Sequence, residues 1–255
     1  MFDPSLFNCF CSSAECWVEY NSVKNMGKAV ITEVTRMHHA YICVGAFHLE
    51  LKKIIRPLPF EDQNWNINDY KNNIFRVRNL INCADNVREK LLESDNPHSY
   101  EDWKQVKPSK IGSFTEKKLF DLLKNYCDST IEMIFGAKII NNKYLIAGTG
   151  KKSLGGIIID SKNFKFILGD YDSKGHKKLR GEIIDCDKKI YNLPITSLDL
   201  LNQYENKQND IEFMGKKFIY LKNKLILRIG LARDWTRDGT FSPRNYIQIN
   251  SLIGI

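Results

Sequence analysis

No stretch of the chain approaches the roughly 20 consecutive apolar residues that a membrane-crossing helix needs. The opening Met1-Phe2-Asp3-Pro4 also lacks the basic start and apolar core of a secretory leader. The expectation is a cytoplasmic protein with no membrane partner. A phosphate-binding loop is missing as well. Gly148-Thr149-Gly150-Lys151-Lys152 imitates one, but the motif wants glycine at position 145 and a hydroxyl after its lysine. Those positions hold Leu145 and Lys152. The glycine-rich turn could still offer N–H groups to a phosphate, with an interdomain link as the plain alternative.

Paired metal-binding cysteines are lacking too. The seven cysteines are an odd number, and Cys43, Cys83, Cys127 and Cys186 lie singly in regular segments, as reduced core thiols do. Cys9, Cys11 and Cys16 form the only cluster. They supply three thiolates where a structural zinc site needs four ligands, so a metal there would need His38, His39 or another chain. No cofactor is expected.

What is present is ordinary globular material, 43% hydrophobic and 27% charged, which excludes wholesale disorder. Lys and Arg number 38 against 30 Asp and Glu, a net +8 that favours an anionic partner such as nucleic acid or a nucleotide. Within residues 1–26, Asp3, Glu15, Glu19 and Lys24 sum to −2, leaving +10 on the rest. This segment reads as an appendage that packs on the body or on a partner.

Short β-rich runs dominate from residue 28 onward. Lys28–Arg36, Tyr41–Leu49 and Leu51–Pro59 read as a meander stopped by Pro57 and Pro59. A loop over 62–72, a strand over 73–81, a helix over 84–93 and a polar loop over 94–112 follow. Ser113-Phe114-Thr115-Glu116 has the form of a capping box. Leu119, Leu122, Leu123, Tyr126 and Ile131 then predict one helix over 115–135, ended by Gly136. Beyond it come three expected hairpins, turning at Asn141-Asn142, at 160–163 and at 185–188. A short helix over 197–206 and strands over 218–221, 225–231 and 246–253 close the chain. Leu225, Leu227, Ile229 and Leu231 alternate onto one face, which predicts a half-buried strand. The organisation is thus an appendage at 1–26, a first lobe at 27–136 and a second at 137–255.

An ordered set of short segments carries a resemblance. It runs Arg36, Cys43-Val44-Gly45-Ala46, Ile55-Arg56-Pro57-Leu58, Ser153-Leu154-Gly155, Lys178-Leu179-Arg180-Gly181, Tyr191–Ser197, Arg228–Arg233 and Asn245–Asn250. In order and spacing it resembles the dual OB-containing domain family of bacteria and mobile elements, over roughly residues 28–255. Met37-His38-His39 and Arg233-Asp234-Trp235 depart from the family's usual form. The resemblance implies a β-rich fold with minor α, two tandem oligonucleotide/oligosaccharide-binding (OB) barrels linked by a helix. It also implies a nucleic-acid-related role, often beside defence genes, and no catalytic residues.

An OB barrel binds single strands through a basic groove with aromatic platforms, each stacked base contributing about 1–3 kcal/mol. Two sets of residues fit. Arg36, His38, His39, Tyr41 and Arg56 surround the first hairpin, and Arg228, Arg233, Trp235, Arg237, Arg244 and Tyr246 surround the last, with Lys151 and Lys152 between. In the competing reading, Asp234 and Asp238 pair with these arginines and Trp235 covers the core. The expectation is a non-catalytic module for nucleic acid or a nucleotide-like anion, an accessory or sensor subunit in a protein complex. A scaffold docking a nuclease or helicase is the alternative. A metal-dependent hydrolase built on Glu182, Asp185, Asp187 and Lys189 is a third reading.

Overall fold

The structure is a computed structural model that describes residues 26–59, 64–84, 97–105, 108–171, 175, 177–233 and 242–255. The appendage with Cys9, Cys11 and Cys16, the helix expected over 84–93, and Trp235 and Arg237 lie outside the described residues. The chain is β-rich, with curled sheets that include a half-barrel. No helix among the described residues is long and apolar enough to cross a membrane.

The N-terminal sheet is built on β1 (Met26–Arg36), which pairs antiparallel with β2 (Tyr41–His48) over its C-terminal part and with β5 (Asn79–Ala84) over its N-terminal part. A register shift between Ile31 and Glu33 bends β1 where it leaves one partner for the other. β3 (Lys53–Pro59) pairs with β2 through residues 53–55. This strand ends at Pro59, in line with the expected stop, although it runs through Pro57. It continues beside β6 (Asp102–Gln105) as a parallel pair, beyond the point where its ladder to β2 stops. β4 (Trp65–Asn66) adds to β2, and β7 (Lys110–Ser113) adds to β5.

Between β4 and β5 the chain makes α1 (Ile67–Lys71) in the stretch expected to be loop, started by an Asn66–Asp69 capping box. The strand expected from residue 73 begins only at 79. Asn73 and Arg78 have φ of 62° and 79°, a left-handed backbone that no ladder accommodates.

The single helix expected over 115–135 is two helices. Thr115, not Ser113, caps α2 (Glu116–Leu123), its side chain accepting from Lys118 N at 3.2 Å. After one 3-10 turn the chain extends at Cys127 so that Asp128 N can donate to Gly156 O (2.8 Å). Thr130 then caps α3 (Ile131–Phe135), and Gly136 at φ +61° ends it as expected.

The C-terminal half holds two sheets, β10-β11-β12 and β8-β14-β13-β9. Their strands are β8 (Tyr144–Ile146), β9 (Leu154–Asp160), β10 (Phe164–Tyr171), β11 (Lys177–Ile184), β12 (Ile190–Pro194), β13 (Lys224–Leu231) and β14 (Arg244–Gly254). The turns at Asn141-Asn142 and at 185–188 form as expected, with positive φ at Asn141, Asn142 and Lys188. The hairpin expected around 160–163 does not form. β9 is antiparallel to β13 and β13 to β14, while β12 meets β14 in parallel at Ile195 and Ile249. Since β10 and β12 both oppose β11, β9 and β10 run in the same direction. Ser161–Asn163 is therefore a kink in one long strand. Two helices, α4 (Leu198–Asn206) and α5 (Ile211–Phe218), connect β12 to β13, and α5 takes up the start of the strand expected over 218–221.

Ile157, Phe164, Leu179, Ile183, Leu193, Leu227 and Ile249 belong to the C-terminal core, which α3 also joins. A separate core lies under the N-terminal sheet, and Leu198 of α4 reaches into it. A third cluster joins Val30 and Phe47 to Ile226, Ile253 and the buried side of α2. β13 is consequently buried on both faces, not one: Leu225, Leu227 and Ile229 point into the C-terminal core, whereas Ile226, Arg228 and Gly230 are covered from the other side. At that junction Arg228 forms a bidentate pair with Glu33 (2.9 and 3.2 Å), both side chains at most 2% exposed. Two glycines leave room for it. A Cβ on Gly45 would overlap the Glu33 carboxylate, and one on Gly156 would meet Arg228 Nη1 at 3.0 Å.

Candidate functional site

A second buried polar cluster centres on Arg56, which is 4% exposed. Its Nη1 donates to Asp102 Oδ1 (2.7 Å), and its Nη2 donates to Ser153 Oγ (2.6 Å) and lies 3.2 Å from His98 Nδ1. The Ser153 hydroxyl in turn donates to Glu101 (2.7 Å), whose other oxygen accepts from Ser153 N (2.8 Å). Arg233 completes the group from the protein surface, its Nη2 donating to Asp102 Oδ2 at 2.7 Å. Burial, with the charges of Arg56 and Arg233, drives the His98 imidazole down to about 2, so it stays neutral. Burial also raises the Glu101 carboxyl, against the pull of Arg56 and Ser153. The two halves are thus joined through carboxylates at Arg228–Glu33 and Arg233–Asp102 and through the Arg56–Ser153 hydrogen bond, and neither the Arg56 nor the Arg228 guanidinium faces solvent.

The other residues expected at a binding surface fall in separate places. Arg36 donates to Glu205 (2.9 Å to Oε2) and to Asn202 (3.1 Å) on α4. His38 is exposed on the turn before β2, and Tyr41 is exposed at the start of that strand. Lys151 and Lys152 are exposed, with the Lys151 stem lying against Gly136. Arg244 stacks 4.5 Å above the Tyr144 ring, and Tyr144 packs on Tyr246 with centroids 5.6 Å apart, the two tyrosines being cross-strand partners.

The acidic turn is a structural cap. Asp185 is buried, and its Oδ1 accepts from the backbone N–H of Asp187 and of Lys189, both at 3.1 Å. Lys189 pairs with Glu132 at 2.7 Å. Among the described residues no three His, Cys, Asp or Glu side chains gather as metal ligands would. The four described cysteines are free thiols, of which Cys186 is exposed on this turn.

The structure also assembles an open surface of which the two expected sets contain only Arg244 and Tyr246. Along β11, Leu179, Gly181 and Ile183 point inward, so Lys178, Arg180 and Glu182 point outward. On β12 the outward residues are Ile190, Asn192 and Pro194. The parallel bridge at Ile195 and Ile249 sets β12 beside β14. Continuing the alternation from that bridge puts Gln248, Tyr246 and Arg244 on the same outer side. Asn142 Nδ2, donating to Ile190 O at 3.0 Å, ties the turn before β8 to this edge.

Arg180 lies at the centre of this surface. Its aliphatic stem crosses Gly169 on β10, where any Cβ would collide with it. Its guanidinium bonds Asn192 through both the side-chain and the backbone oxygen, the latter at 2.5 Å. Partial burial pulls its pKa down against the charge of Asp170. Around it stand Lys165, paired with Glu182 at 2.8 Å, and the exposed Ile190, whereas the exposed Leu168 and Tyr171 lie opposite Leu179 and Lys177 on the other side of the sheet. The alternation in Lys178-Leu179-Arg180-Gly181 is the one signal in the sequence that could have located this face. Compared with known proteins, the chain matches no protein-family model and no curated protein.

Proposed function

We propose that the chain is a non-catalytic binding module that takes single-stranded nucleic acid across the outer face of β10, β11 and β12, extended by Tyr144, Arg244 and Tyr246. The observation that carries this reading is the open face itself, with a central arginine fixed flat by Asn192, the cations Lys165 and Lys178 beside it, and the Tyr144 and Tyr246 rings at its β14 edge. Phosphates need cations along a track and bases need platforms, and both occur here on one curved surface.

Strand order supports the same reading. In each half a long, bent first strand pairs with the second and the fourth. The third lies parallel to the fifth, and helix separates the third from the fourth. That order supports reading each half as an OB barrel, whose ligands cross its second and third strands and the loops beside them. In the N-terminal half those strands, β2 and β3, carry Phe47 and Arg56 into contacts with the C-terminal half or its connectors. The corresponding strands of the C-terminal half, β11 and β12, remain open. The segments that resemble dual OB-containing proteins add the expectation of a role beside defence genes.

The test is fluorescence anisotropy with a labelled 12-nucleotide single strand. Binding should weaken with salt at a logarithmic slope of about −0.7 per phosphate contacted. The Lys178→Ala/Arg180→Ala variant should bind at least tenfold more weakly with an unchanged melting temperature. Unchanged affinity in that variant would remove the face from consideration. The exposed Ile190 on this face favours a second reading, a protein-docking surface. That reading requires no strand binding by the unmodified chain and a stoichiometric complex on co-purification.

A further inference from the structure

A cleft of about 520 Å³ opens where the two halves meet, away from the outer face of β10–β12. Its size falls within the range of about 300–1,000 Å³ typical of small-molecule sites. One wall comes from residues 73–79 and 113–116, and the other from the start of α4, the end of α5 and residues 251–253. Three cations line it: Arg76, Arg78 and Lys217. The two carboxylates on its walls are already engaged. Glu116 accepts from Lys222 Nζ and Gly254 N, both at 3.1 Å, and Asp199 accepts from the Tyr70 hydroxyl with Arg76 3.7 Å away.

Arg78 is the distinctive residue. It sits at φ +79°, a conformation disfavoured for any side chain larger than glycine. Its backbone is clamped on both sides, N–H to Ile31 O (2.9 Å) and C=O from Phe114 N (2.8 Å). The side chain is exposed and forms no ion pair among the described residues. Strained backbone of this kind clusters at ligand-binding positions, where the fold holds it to present a side chain. On the same wall Arg76 is fixed 3.5 Å above the Tyr70 ring, and on the opposite one Lys217 donates to Gln203 at 2.6 Å. Phe114, Phe218 and Leu252 supply apolar wall between these cations.

The geometry points to a binding site for a nucleoside polyphosphate, with its phosphates on Arg78, Arg76 and Lys217 and its base against Phe114 and Phe218. Cations spaced around the cleft suit more than one phosphate, and the apolar wall suits a planar ring. Because both halves form the walls, occupancy couples to their docking, and the ligand should raise the melting temperature of the whole chain.

Thermal melting and calorimetry with ATP, GTP, CTP and UTP, and with adenosine and inorganic phosphate as part-ligands, test the assignment. At least one nucleoside triphosphate should bind and raise the melting temperature by several degrees, with both part-ligands at least tenfold weaker. Arg78→Gly removes the guanidinium while suiting the positive φ. It should therefore melt no lower than the unmodified protein and bind the triphosphate at least tenfold more weakly. The Lys178→Ala/Arg180→Ala variant should retain triphosphate binding, which separates this cleft from the strand-binding face. The assignment is overturned if none of the four triphosphates binds, or if Arg78→Gly binds them with unchanged affinity.

Discussion

Replacing Arg228 with Met removes one charge from a pair that has almost no access to water. Glu33 and Arg228 are 2% and 1% exposed, and their two hydrogen bonds of 2.9 and 3.2 Å are the contacts that compensate the carboxylate for leaving water. Met fills much of the arginine's volume, so the change is chiefly electrostatic. Breaking a buried pair on one side costs about 3–5 kcal/mol, because the partner remains charged, buried and alone. For a chain of this size that corresponds to a fall of roughly 10 °C in Tm. Removing both charges together, as in Glu33→Gln/Arg228→Met, should restore most of the loss, since well-packed neutral residues often replace a buried pair at little cost. Urea unfolding of the four proteins of this double-mutant cycle measures both numbers. A loss below about 1 kcal/mol for Arg228→Met, or a double variant no more stable than the single one, would refute the argument that this pair, dry and unrelieved by solvent, locks the two halves.

Two further outcomes follow from the same junction. His98 titrates near 2 in the folded chain and near 6.5 when unfolded, so unfolding takes up a proton below pH 6.5. Its contribution to stability is complete above that pH and is lost at up to about 1.4 kcal/mol per pH unit as acidity increases. Glu101, raised by burial, acts in the opposite sense, so the comparison is with His98→Asn, whose stability should fall less between pH 6.5 and 5; parallel pH profiles would contradict this. Gly45→Ala places a methyl against the Glu33 carboxylate and should cost about 2–3 kcal/mol in urea unfolding, as overpacked positions do; a neutral result would show that Glu33 has room to move.

Local signals in the sequence located some turns and one cap, while the capping box placed at Ser113 belongs to Thr115. Asn141-Asn142, the 185–188 turn and Gly136 behave as their residue types require, because a positive φ is decided within a few residues. Strand partners were not legible in the same way. Asp160–Asn163 has the composition of a hairpin turn, yet the hydrogen bonds of β9 go to β13, more than 60 residues further along the chain, and composition carries no record of that. Alternation in 225–231 indicated one buried face. The second became buried only because the N-terminal sheet docks on it, turning Arg228 from a candidate ligand contact into half of an ion pair. Arg56 followed the same course, since Asp102, His98 and Ser153 converge on it from distant segments. Arg180 sits in a strand whose alternation was readable, but its exposure depends on which face the rest of the chain leaves uncovered.

Hydrogen–deuterium exchange with and without a 12-nucleotide single strand tests the central claim most directly. Bound nucleic acid should slow exchange in residues 165–171, 177–184 and 190–194 and at the 142–146 and 244–248 edge, leaving the buried strand β13 unchanged. Slowed exchange confined to other surfaces, or none at a strand concentration that saturates binding, would contradict the placement of the ligand on β10–β12.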